Sequence, residues 1–339
     1  MTVLITGGAG FIGSTIASAC ADRGHDVIVL DDLSTGVAAF AERHRFYRGD
    51  IADAALIDRI ARENPDIDVV VHCAAKIVVP DSVADPLGYF DCNVARTVSL
   101  LTSLTRNGLD RVVFSSSAAI YETPIDGVVH EGSPLAPLSP YADTKAVVER
   151  VLEAGATAGG LRAVALRYFN PIGADPALRT GLQLPTPSHA LGRLVSAWQA
   201  GSPFTVTGLD WPTRDGSGVR DYVHVWDLAE AHALVVDRFD EVVDASRPFR
   251  ALNLGTGRGT TVLELVEAFA RVVGDAPRVE VAGRRVGDTA GAFADVSAAL
   301  DLLGWEARLT VDDGIADALR WADAARASGL HDTTAVASV

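Results

Sequence analysis

A tyrosine and a lysine four residues apart are the first residues in the chain whose types and spacing could do chemistry. Tyr141 and Lys145 would share one face of a helix, one turn apart. A tyrosine with a pKa of about 10 is a poor base at neutral pH, but a neighbouring ammonium favours the phenolate and lowers that pKa. The pair could therefore act as a general acid and base.

The surroundings of this pair favour a catalytic site over an ordinary surface contact, which is the commoner meaning of such a spacing. Lys76 and Lys145 are the only two lysines among 29 basic residues, although a bias toward arginine codons explains most of that excess. The serines Ser115–Ser117 follow an apolar run over Arg111–Phe114. Open parallel sheets bind ligands at the carboxyl ends of their strands, so we predict a site there.

The stretch from Gly7 to Gly13 (GGAGFIG) predicts a loop that binds the phosphates of a dinucleotide. It precedes a helical pattern over Phe11–Arg23, and its missing side chains would let the backbone approach a pyrophosphate at the helix N-terminus. A structural turn is the alternative, but Asp31, at the end of the next apolar run, favours a cofactor site. Asp31 can accept hydrogen bonds from an adenosine ribose and would repel a 2′-phosphate. We therefore predict NAD rather than NADP.

Apolar runs alternate with helical patterns through the first half of the chain. Runs without polar alternation are typical of strands buried on both faces, so the fold class predicted is α/β, a doubly wound (Rossmann) parallel sheet. We expect an NAD-binding domain over 1–170, with 220–257 returning to it, and a smaller C-terminal substrate-binding lobe over 171–219 and 258–325. Residues 326–339 lack periodicity and are predicted to be frayed. The predicted strands are Val3–Ile5, Val27–Leu30, Asp68–His72, Arg111–Phe114, Arg162–Leu166, Ala251–Leu254 and Val279–Val281, and the predicted helices include Phe11–Arg23, Ala54–Arg62 and Asn93–Arg106.

Composition excludes several classes of partner. The 339 residues carry a formal net charge of −15, which argues against a nucleic-acid or anionic membrane surface. No apolar run approaches the ~18 residues of a membrane-spanning helix. Cys20, Cys73 and Cys92 are too few and too scattered for a disulfide framework or a metal site. With no signal-peptide pattern at the start, we expect a cytoplasmic protein that holds no metal.

From Thr2 to about Trp305 the chain resembles the extended short-chain dehydrogenase/reductases, and within them the nucleotide-sugar 4-epimerases of the UDP-glucose 4-epimerase type. The block over Asp210–Val225 (DWPTRDGSGVRDYVHV) is specific to the hexose epimerases rather than shared by every relative. The other stretches that carry the resemblance are Ser115–Tyr121 (SSSAAIY), Leu166–Pro171 (LRYFNP) and Arg284–Asp288 (RRVGD).

The resemblance implies a role for each matching residue. Tyr141 would be the acid and base on the sugar 4-hydroxyl, Ser117 would hydrogen-bond the same oxygen, and Lys145 would hold the nicotinamide ribose. The implied cofactor-binding residues are Gly7, Gly10, Phe11, Ile12, Gly13, Asp31, Asp32, Ser34, Asp50, Ile51, Ala74, Ala75, Lys76, Asn93, Tyr141, Lys145 and Tyr168. The implied substrate-binding residues are Lys76, Ser117, Tyr141, Asn170, Ser188, Arg220, Arg285, Asp288 and Ala292. Without the resemblance, Asn170 could equally cap a turn, and Arg284 and Arg285 could be a solvated pair.

The reaction type follows from two alanines. Related dehydratases carry an Asp-Glu pair, and related decarboxylases a Glu, where this chain has Ala118 and Ala119, which neither give nor take a proton. Oxidation at C4 of the sugar can then only be reversed, which gives epimerisation with NAD retained through turnover. A dTDP-sugar epimerase, a net dehydrogenase and a non-catalytic NAD sensor remain as alternatives.

Three positions bear on the choice of a nucleotide-diphosphate sugar. Ser188-His189 stands where relatives have Asn-Leu, and Thr207 replaces a frequent aromatic residue, so a thymidine nucleotide is conceivable beside uridine. Ala292 stands where relatives that accept only glucose and galactose often have tyrosine, so an N-acetyl group at C2 should fit. The resemblance also implies a homodimer formed through the helices containing Asn93–Arg106 and Tyr141–Glu153.

Overall fold

The computed structural model describes residues 1–124, 127–184, 186–284 and 289–330 as strands, helices and connecting loops. The strands, in chain order, are β1 Thr2–Thr6, β2 Asp26–Asp31, β3 Arg45–Arg48, β4 Ile67–His72, β5 Arg111–Ser117, β6 Val128–Val129, β7 Arg162–Tyr168, β8 Asn170–Ile172, β9 Phe204–Thr207, β10 Val219–Arg220, β11 Tyr222–His224, β12 Phe249–Leu254, β13 Thr260–Thr261, β14 Val279–Ala282 and β15 Gly291–Ala294.

The helices cover both faces of the sheet and connect its strands. They are α1 Phe11–Asp22, α2 Ala38–Ala41, α3 Ala54–Glu63, α4 Val79–Ala84, α5 Pro86–Phe90, α6 Arg96–Arg106, α7 Pro140–Thr157, α8 Ala190–Ala200, α9 Val225–Asp237, α10 Phe239–Val242, α11 Val262–Val273, α12 Ser297–Leu303 and α13 Val311–Ala327. A π-helical turn, Asp91–Ala95, joins α5 to α6, and a 3₁₀ turn, Ala118–Ile120, follows β5. Within the described ranges, no helix is long and apolar enough to cross a bilayer.

Seven strands form one parallel sheet in the order β12-β7-β5-β4-β1-β2-β3. The side chains of β1 are buried on both faces: Val3 and Ile5 belong to the hydrophobic core on the side of α1 and α9, and Leu4 to the core on the side of α3 and α6. This confirms the predicted doubly wound fold, and its continuous apolar runs are explained by helices on both faces. The chain runs from β1 to β2 and β3 on one side and then crosses back to β4 on the other side of β1. The strand order therefore reverses at β1, and the ligand crevice lies at that point.

Several elements differ from the sequence predictions. The helix predicted over Asn93–Arg106 begins as the π-helical turn and becomes regular only at Arg96. The strand β3, Arg45–Arg48, was not predicted because it lies at the sheet edge, where its polar side chains face solvent. The helix α13 runs to Ala327, two residues into the predicted frayed tail, and residues 331–339 lie outside the described residues.

Smaller sheets lie outside the seven-stranded sheet, and they combine strands of the predicted substrate-binding lobe with β6 and β11, which come from the ranges predicted for the NAD-binding domain. One has the order β13-β10-β15-β6, and the pairs β11-β8 and β14-β9 lie beside it. A separate hydrophobic core under these strands includes Ile172, Phe204 and Phe269. The division of the chain into two domains remains a prediction, with this core as the body of the second.

A buried ion pair attaches α7 to the sheet. The Arg167 guanidinium on β7 donates to the Glu149 carboxylate on α7, with 2.6 Å between Nη2 and Oε2, and both side chains are almost fully buried. The Ser116 hydroxyl on β5 also donates to Glu149, and Arg167 Nη1 donates to the Tyr121 hydroxyl at 2.9 Å. Buried charges must be paired and hydrogen-bonded, so this network determines where α7 lies on the sheet.

We expect Arg167→Met to lower the free energy of unfolding by about 3–5 kcal/mol, because it leaves the buried Glu149 carboxylate without its partner. Urea denaturation monitored by circular dichroism measures the change. The matched control is Arg271→Met, since Arg271 pairs with Asp312 on the exposed surface and such pairs contribute about 0–1 kcal/mol. Equal stabilities of the two variants would show that the pair does not hold α7.

Candidate active site

Glycines at two positions let the loop after β1 fold tightly against β4. The backbone of Gly7 has a φ of +69°, and a Cβ there would lie 2.6 Å from the Ala74 nitrogen. A Cβ on Gly13 would collide with the Gly7 carbonyl, whereas a Cβ on Gly10, the N-cap of α1, would lie in ordinary contact 3.4 Å from the Gly7 carbonyl oxygen. The loop therefore leaves backbone amides at the start of α1 free of side-chain cover, as a phosphate site requires.

Asp31 ends β2 beside this loop. Its Oδ2 accepts from the Ala9 nitrogen at 3.0 Å and its Oδ1 from the Leu33 nitrogen at 2.8 Å, and the residue is 8% exposed. Burial raises the pKa of Asp31, while the two backbone bonds act in the opposite direction. A carboxylate has about four acceptor positions, so two remain for the hydroxyls of a ribose. Asp32 closes the next turn by accepting from the Ser34 nitrogen at 2.8 Å.

The predicted adenine contacts lie on the other side of the same edge. Asp50 accepts from Arg96 with 2.6 Å between Oδ2 and Nη1, and Ile51 is buried beside it. Ala74 and Ala75 follow β4 directly, facing the glycine loop at Gly7. These small side chains leave the groove open where the two strands diverge.

Asn93 holds the backbone of the loop that carries Lys76. Its Oδ1 accepts from the Lys76 nitrogen at 2.8 Å, and its Nδ2 donates to the Lys76 carbonyl at 2.9 Å and to Thr144 Oγ1 at 3.1 Å. The Lys76 ammonium itself is half-exposed, 3.6 Å from Asp85 and 5.7 Å from the centre of the Tyr89 ring. The structure therefore makes Asn93 a support for the Lys76 loop, with the lysine side chain facing solvent and able to reach a phosphate.

Lys145 is buried between β5 and α7. Its ammonium donates to the Ser115 carbonyl at 2.7 Å and lies 4.8 Å from the centre of the Phe114 ring, and the residue is 4% exposed. Burial lowers the pKa of Lys145 to about 8. The same ammonium is 6.0 Å from the centre of the Tyr141 ring, one helical turn earlier.

The Ser117 side chain lies near Tyr141, and the Lys145 ammonium faces the Tyr141 ring, so the predicted catalytic residues Ser117, Tyr141 and Lys145 lie together. Burial raises the pKa of Tyr141, and the nearby Ser117 side chain opposes that rise only in part. This differs from the expectation that the lysine lowers this pKa, because the ammonium donates to the Ser115 carbonyl instead of the phenol. A further positive charge at the site is needed to favour the phenolate at neutral pH.

The three serines of β5 have three different partners. Ser115 donates to Cys73 Sγ at 3.0 Å and lies near Tyr168, and Ser116 donates to Glu149. Ser117 accepts from the Ala119 nitrogen at 3.2 Å and lies near Tyr141. Sequence reasoning missed the roles of Ser115, Ser116 and Glu149. The spacing Tyr141, Lys145, Glu149 was the available signal, since every fourth residue of a helix shares one face.

On the substrate side, the structure places Arg220 beside Ala292. The two residues are register partners in the parallel strands β10 and β15, and Arg220 Nη1 donates to the Val219 carbonyl at 2.7 Å. Asn170 pairs with Tyr222, and its nitrogen donates to the Asp221 carbonyl at 3.0 Å.

Asp221 is a further residue that sequence reasoning missed. Its carboxylate is fully buried and accepts from the nitrogens of Thr256, Gly257 and Ala294 at 2.8, 3.2 and 3.1 Å, and from the Thr256 hydroxyl at 2.7 Å. These bonds attach β15 to the loop after β12, so Asp221 positions the strands that carry Arg220 and Ala292.

Other predicted substrate residues are less closely grouped. Ser188 is exposed just before α8, whose first turn is capped by the His189 side chain. Arg285 and Asp288 lie outside the described residues. Their neighbour Arg284 stacks 3.7 Å from the Trp211 ring centre and donates to Asp210 at 2.7 Å, so it is not simply solvated.

The described residues contain no group of three or more histidine, cysteine, aspartate or glutamate side chains that could hold a metal ion. The hydroxyl, phenol and ammonium groups lie at the β5 edge, and the glycine loop and Asp31 lie at the β1–β4 crevice. The backbone amides at the start of α1 and the two free acceptor positions of Asp31 fit NAD.

Comparisons with known proteins show the family to which the chain belongs. The model of the NAD dependent epimerase/dehydratase family matches residues 3–255. A UDP-glucose 4-epimerase of Azospirillum brasilense is 39% identical over 322 residues, which cover 94% of this chain and 91% of that protein. The crystal structure of a UDP-glucose-4-epimerase from Stenotrophomonas maltophila with bound NAD and formylated UDP-arabinopyranose is 38% identical, with a TM-score of 0.92 over 97% of this chain and 99% of that one. The structure of a Bifidobacterium longum UDP-glucose 4-epimerase with NAD⁺ and UDP is 35% identical, with a TM-score of 0.88 over 96% and 98% of the two chains.

We expect the pKa of Tyr141 to be lower in protein loaded with NAD⁺ than in protein loaded with NADH. The positive nicotinamide favours the phenolate, and that charge disappears on reduction. Tyrosinate absorbance measured during a pH titration, as the difference between wild type and Tyr141→Phe, reports this pKa. The same midpoint in both redox states would contradict the electrostatic account.

Proposed function

Because the chain belongs to the NAD-dependent epimerase/dehydratase family, we propose that it is a nucleotide-sugar 4-epimerase that interconverts UDP-glucose and UDP-galactose. The observation that carries this proposal is the grouping of Ser117, Tyr141 and the buried Lys145 at the edge of β5, followed by Ala118 and Ala119 with no acidic side chain. Such a site can move one proton at a sugar hydroxyl and has no further acid at this edge for elimination. The interconversion is a reaction of galactose metabolism.

Each residue of the site has a separate role in the proposed epimerisation. Tyr141 accepts the proton of the sugar 4-hydroxyl as C4 loses its hydride, and Ser117 orients the same oxygen. NAD, when bound, supplies the acceptor and then the donor of that hydride. Lys145 keeps a positive charge close to the phenol, and Glu149, which Arg167 and Ser116 engage, is not available as a second acid. Return of the hydride to the opposite face of C4, with return of the proton to the 4-oxygen, inverts C4.

A closed cycle of this kind consumes no oxidant, so the cofactor stays with the protein. The glycine loop and Asp31 support NAD, and Arg220 supports the diphosphate of the substrate. A thymidine nucleotide remains the alternative to uridine, because Ser188-His189 and Thr207 depart from the family pattern, and a panel of nucleotide sugars decides between them. Cys20, Cys73 and Cys92 are free thiols, which suits the cytoplasm.

We expect the purified protein to release NAD or NADH on denaturation and to epimerise UDP-galactose without added oxidant. Tyr141→Phe should keep the bound cofactor but lose about 10²–10⁴-fold in turnover, because it removes the acid and base while keeping the ring. Tyr47→Phe, at the distant sheet edge, is the matched control. Bound NADP, or full activity of Tyr141→Phe, would overturn the proposal.

We also propose that the site accepts the N-acetylhexosamine pair, because Ala292 leaves space beside Arg220 where a tyrosine ring would stand. Ala292→Tyr should abolish turnover of UDP-N-acetylglucosamine while sparing UDP-glucose, since steric overlap is poorly absorbed in close-packed protein. Steady-state rates with both sugar pairs measure this, and the glucose pair is the internal control. A wild type that ignores the acetylated sugar, or a variant that still turns it over, contradicts the idea.

We propose a homodimer formed through α6 and α7. Val98 on α6 is 41% exposed, and Val147 and Val151 on α7 are only half-buried, which leaves apolar surface on adjacent helices.

Val98→Glu should convert the dimer to monomer, because two carboxylates would meet near the twofold axis of such an interface. Light scattering after size-exclusion chromatography gives the mass. The control is Leu300→Glu on α12, a similarly exposed apolar residue at 48%. A wild-type mass of 35.5 kDa would refute the dimer.

A further inference from the structure

A segment of the substrate-binding region crosses the cofactor domain and is bonded to it along its length. We call residues 175–184 the strap. Arg179 binds Asp22 at the end of α1 through two bonds, 2.6 Å between Nη1 and Oδ1 and 2.8 Å between Nη2 and Oδ2. The Thr180 and Thr15 hydroxyls are 3.2 Å apart, nearer the glycine loop. The strap therefore follows α1 toward the end that receives the cofactor phosphates.

Near the end of the strap, Gln183 lies over the loop between Asp31 and α2, which we call the cofactor loop. Gln183 is 5% exposed, and its Nε2 donates to the Thr35 carbonyl at 3.1 Å. The same nitrogen would lie 4.0 Å from a Cβ on Gly10. Gln183 thus binds the loop after Asp31, and its side chain lies close to the glycine loop.

The side-chain oxygen of Gln183 is unusual. It is buried and has no hydrogen-bond partner among the residues that the structure describes. The amide cannot be reversed, because the oxygen would then face the Thr35 carbonyl. Buried acceptors without a donor are costly, so this oxygen is a position where a hydroxyl of a bound molecule would be stabilised.

The helix α13 holds the strap from outside. Trp321 Nε1 donates to the Leu182 carbonyl at 2.9 Å, and a Cβ on Gly181 would lie 2.5 Å from the Trp321 ring. The Trp321 ring centre is 5.7 Å from that of Phe40 in α2. Trp321 and Phe40 share one hydrophobic cluster with Val37, so the strap, α13 and the end of the cofactor loop are packed as a unit.

We propose that Gln183 is a cofactor-positioning residue, and that the strap holds the loop after Asp31 closed over the adenosine half of NAD. The inference rests on the proposed function, since a closed redox cycle depends on cofactor that does not exchange. Gln183 contributes one bond that fixes the loop at Thr35 and one free acceptor for a cofactor hydroxyl. Release of NAD then requires the strap to separate from the loop.

The test is the rate at which bound NAD exchanges with isotopically labelled NAD in the purified holoenzyme. Gln183→Met keeps the volume of the side chain and removes both polar groups, so exchange should accelerate about tenfold or more. Gln183→Glu keeps an acceptor but turns a carboxylate toward the Thr35 carbonyl, and it should exchange faster still. The matched control is Gln199→Met, since Gln199 is an exposed glutamine in the same region, 3.4 Å from Asp323 on α13.

Two further readings separate positioning from general stability. Excess NAD should restore turnover of Gln183→Met, because the defect lies in cofactor retention. The thermal midpoints of cofactor-free Gln183→Met and Gln199→Met should agree, and a large drop for Gln183→Met alone would overturn the positioning role. If the wild type retains NAD but Gln183→Met exchanges it no faster, the proposed role of the strap is refuted and the epimerase proposal is unaffected. Wild type that holds no NAD refutes the epimerase proposal itself.

Discussion

Helix α7 carries two charged side chains into the protein interior, one turn apart, and each is compensated on a different strand. Lys145 is held by a carbonyl of β5, and Glu149 by a guanidinium of β7. A buried charge is tolerated only where its partner is correctly placed, so neither strand can shift relative to the helix without leaving a charge unpaired. Tyr141, one turn before Lys145 on the same face, therefore reaches the carboxyl edge of β5 at a defined position.

On each side of the crevice, a buried carboxylate is likewise held by several hydrogen-bond donors. On the cofactor side, backbone amides of the glycine loop and the following turn hold the carboxylate of Asp31. On the substrate side, four donors hold the carboxylate of Asp221 and join β15 to the loop after β12. In both cases a buried acid orders loops that would otherwise have few contacts, and the loops carry the binding surface.

Features encoded by local spacing could be predicted from the sequence. The glycine loop, Asp31 and the four-residue spacing of Tyr141 and Lys145 each lie within one strand, turn or helix, and the fold class followed from apolar runs buried on both faces. Features that depend on distant partners could not. Asp221 and Gln183 read as ordinary polar residues in the sequence, because their donors and acceptors are supplied by chain segments far away. The pKa of Tyr141 belongs to this second group, since burial, which opposes the lysine, is visible only in three dimensions.

The π-helical turn between α5 and α6 contains one residue more per turn than a regular helix would. That extra residue lets Asn93 face inward toward the Lys76 loop while α6 resumes its ordinary packing on the sheet. In a regular helix each residue rotates the chain by about 100°. If the chain were shortened by one residue here, either the Asn93 amide would turn away from the Lys76 loop or the apolar face of α6 would turn away from the sheet. The length of this segment is consequently constrained, and an insertion or deletion between Asp91 and Ala95 would disrupt either the Asn93 bonds or the packing of α6.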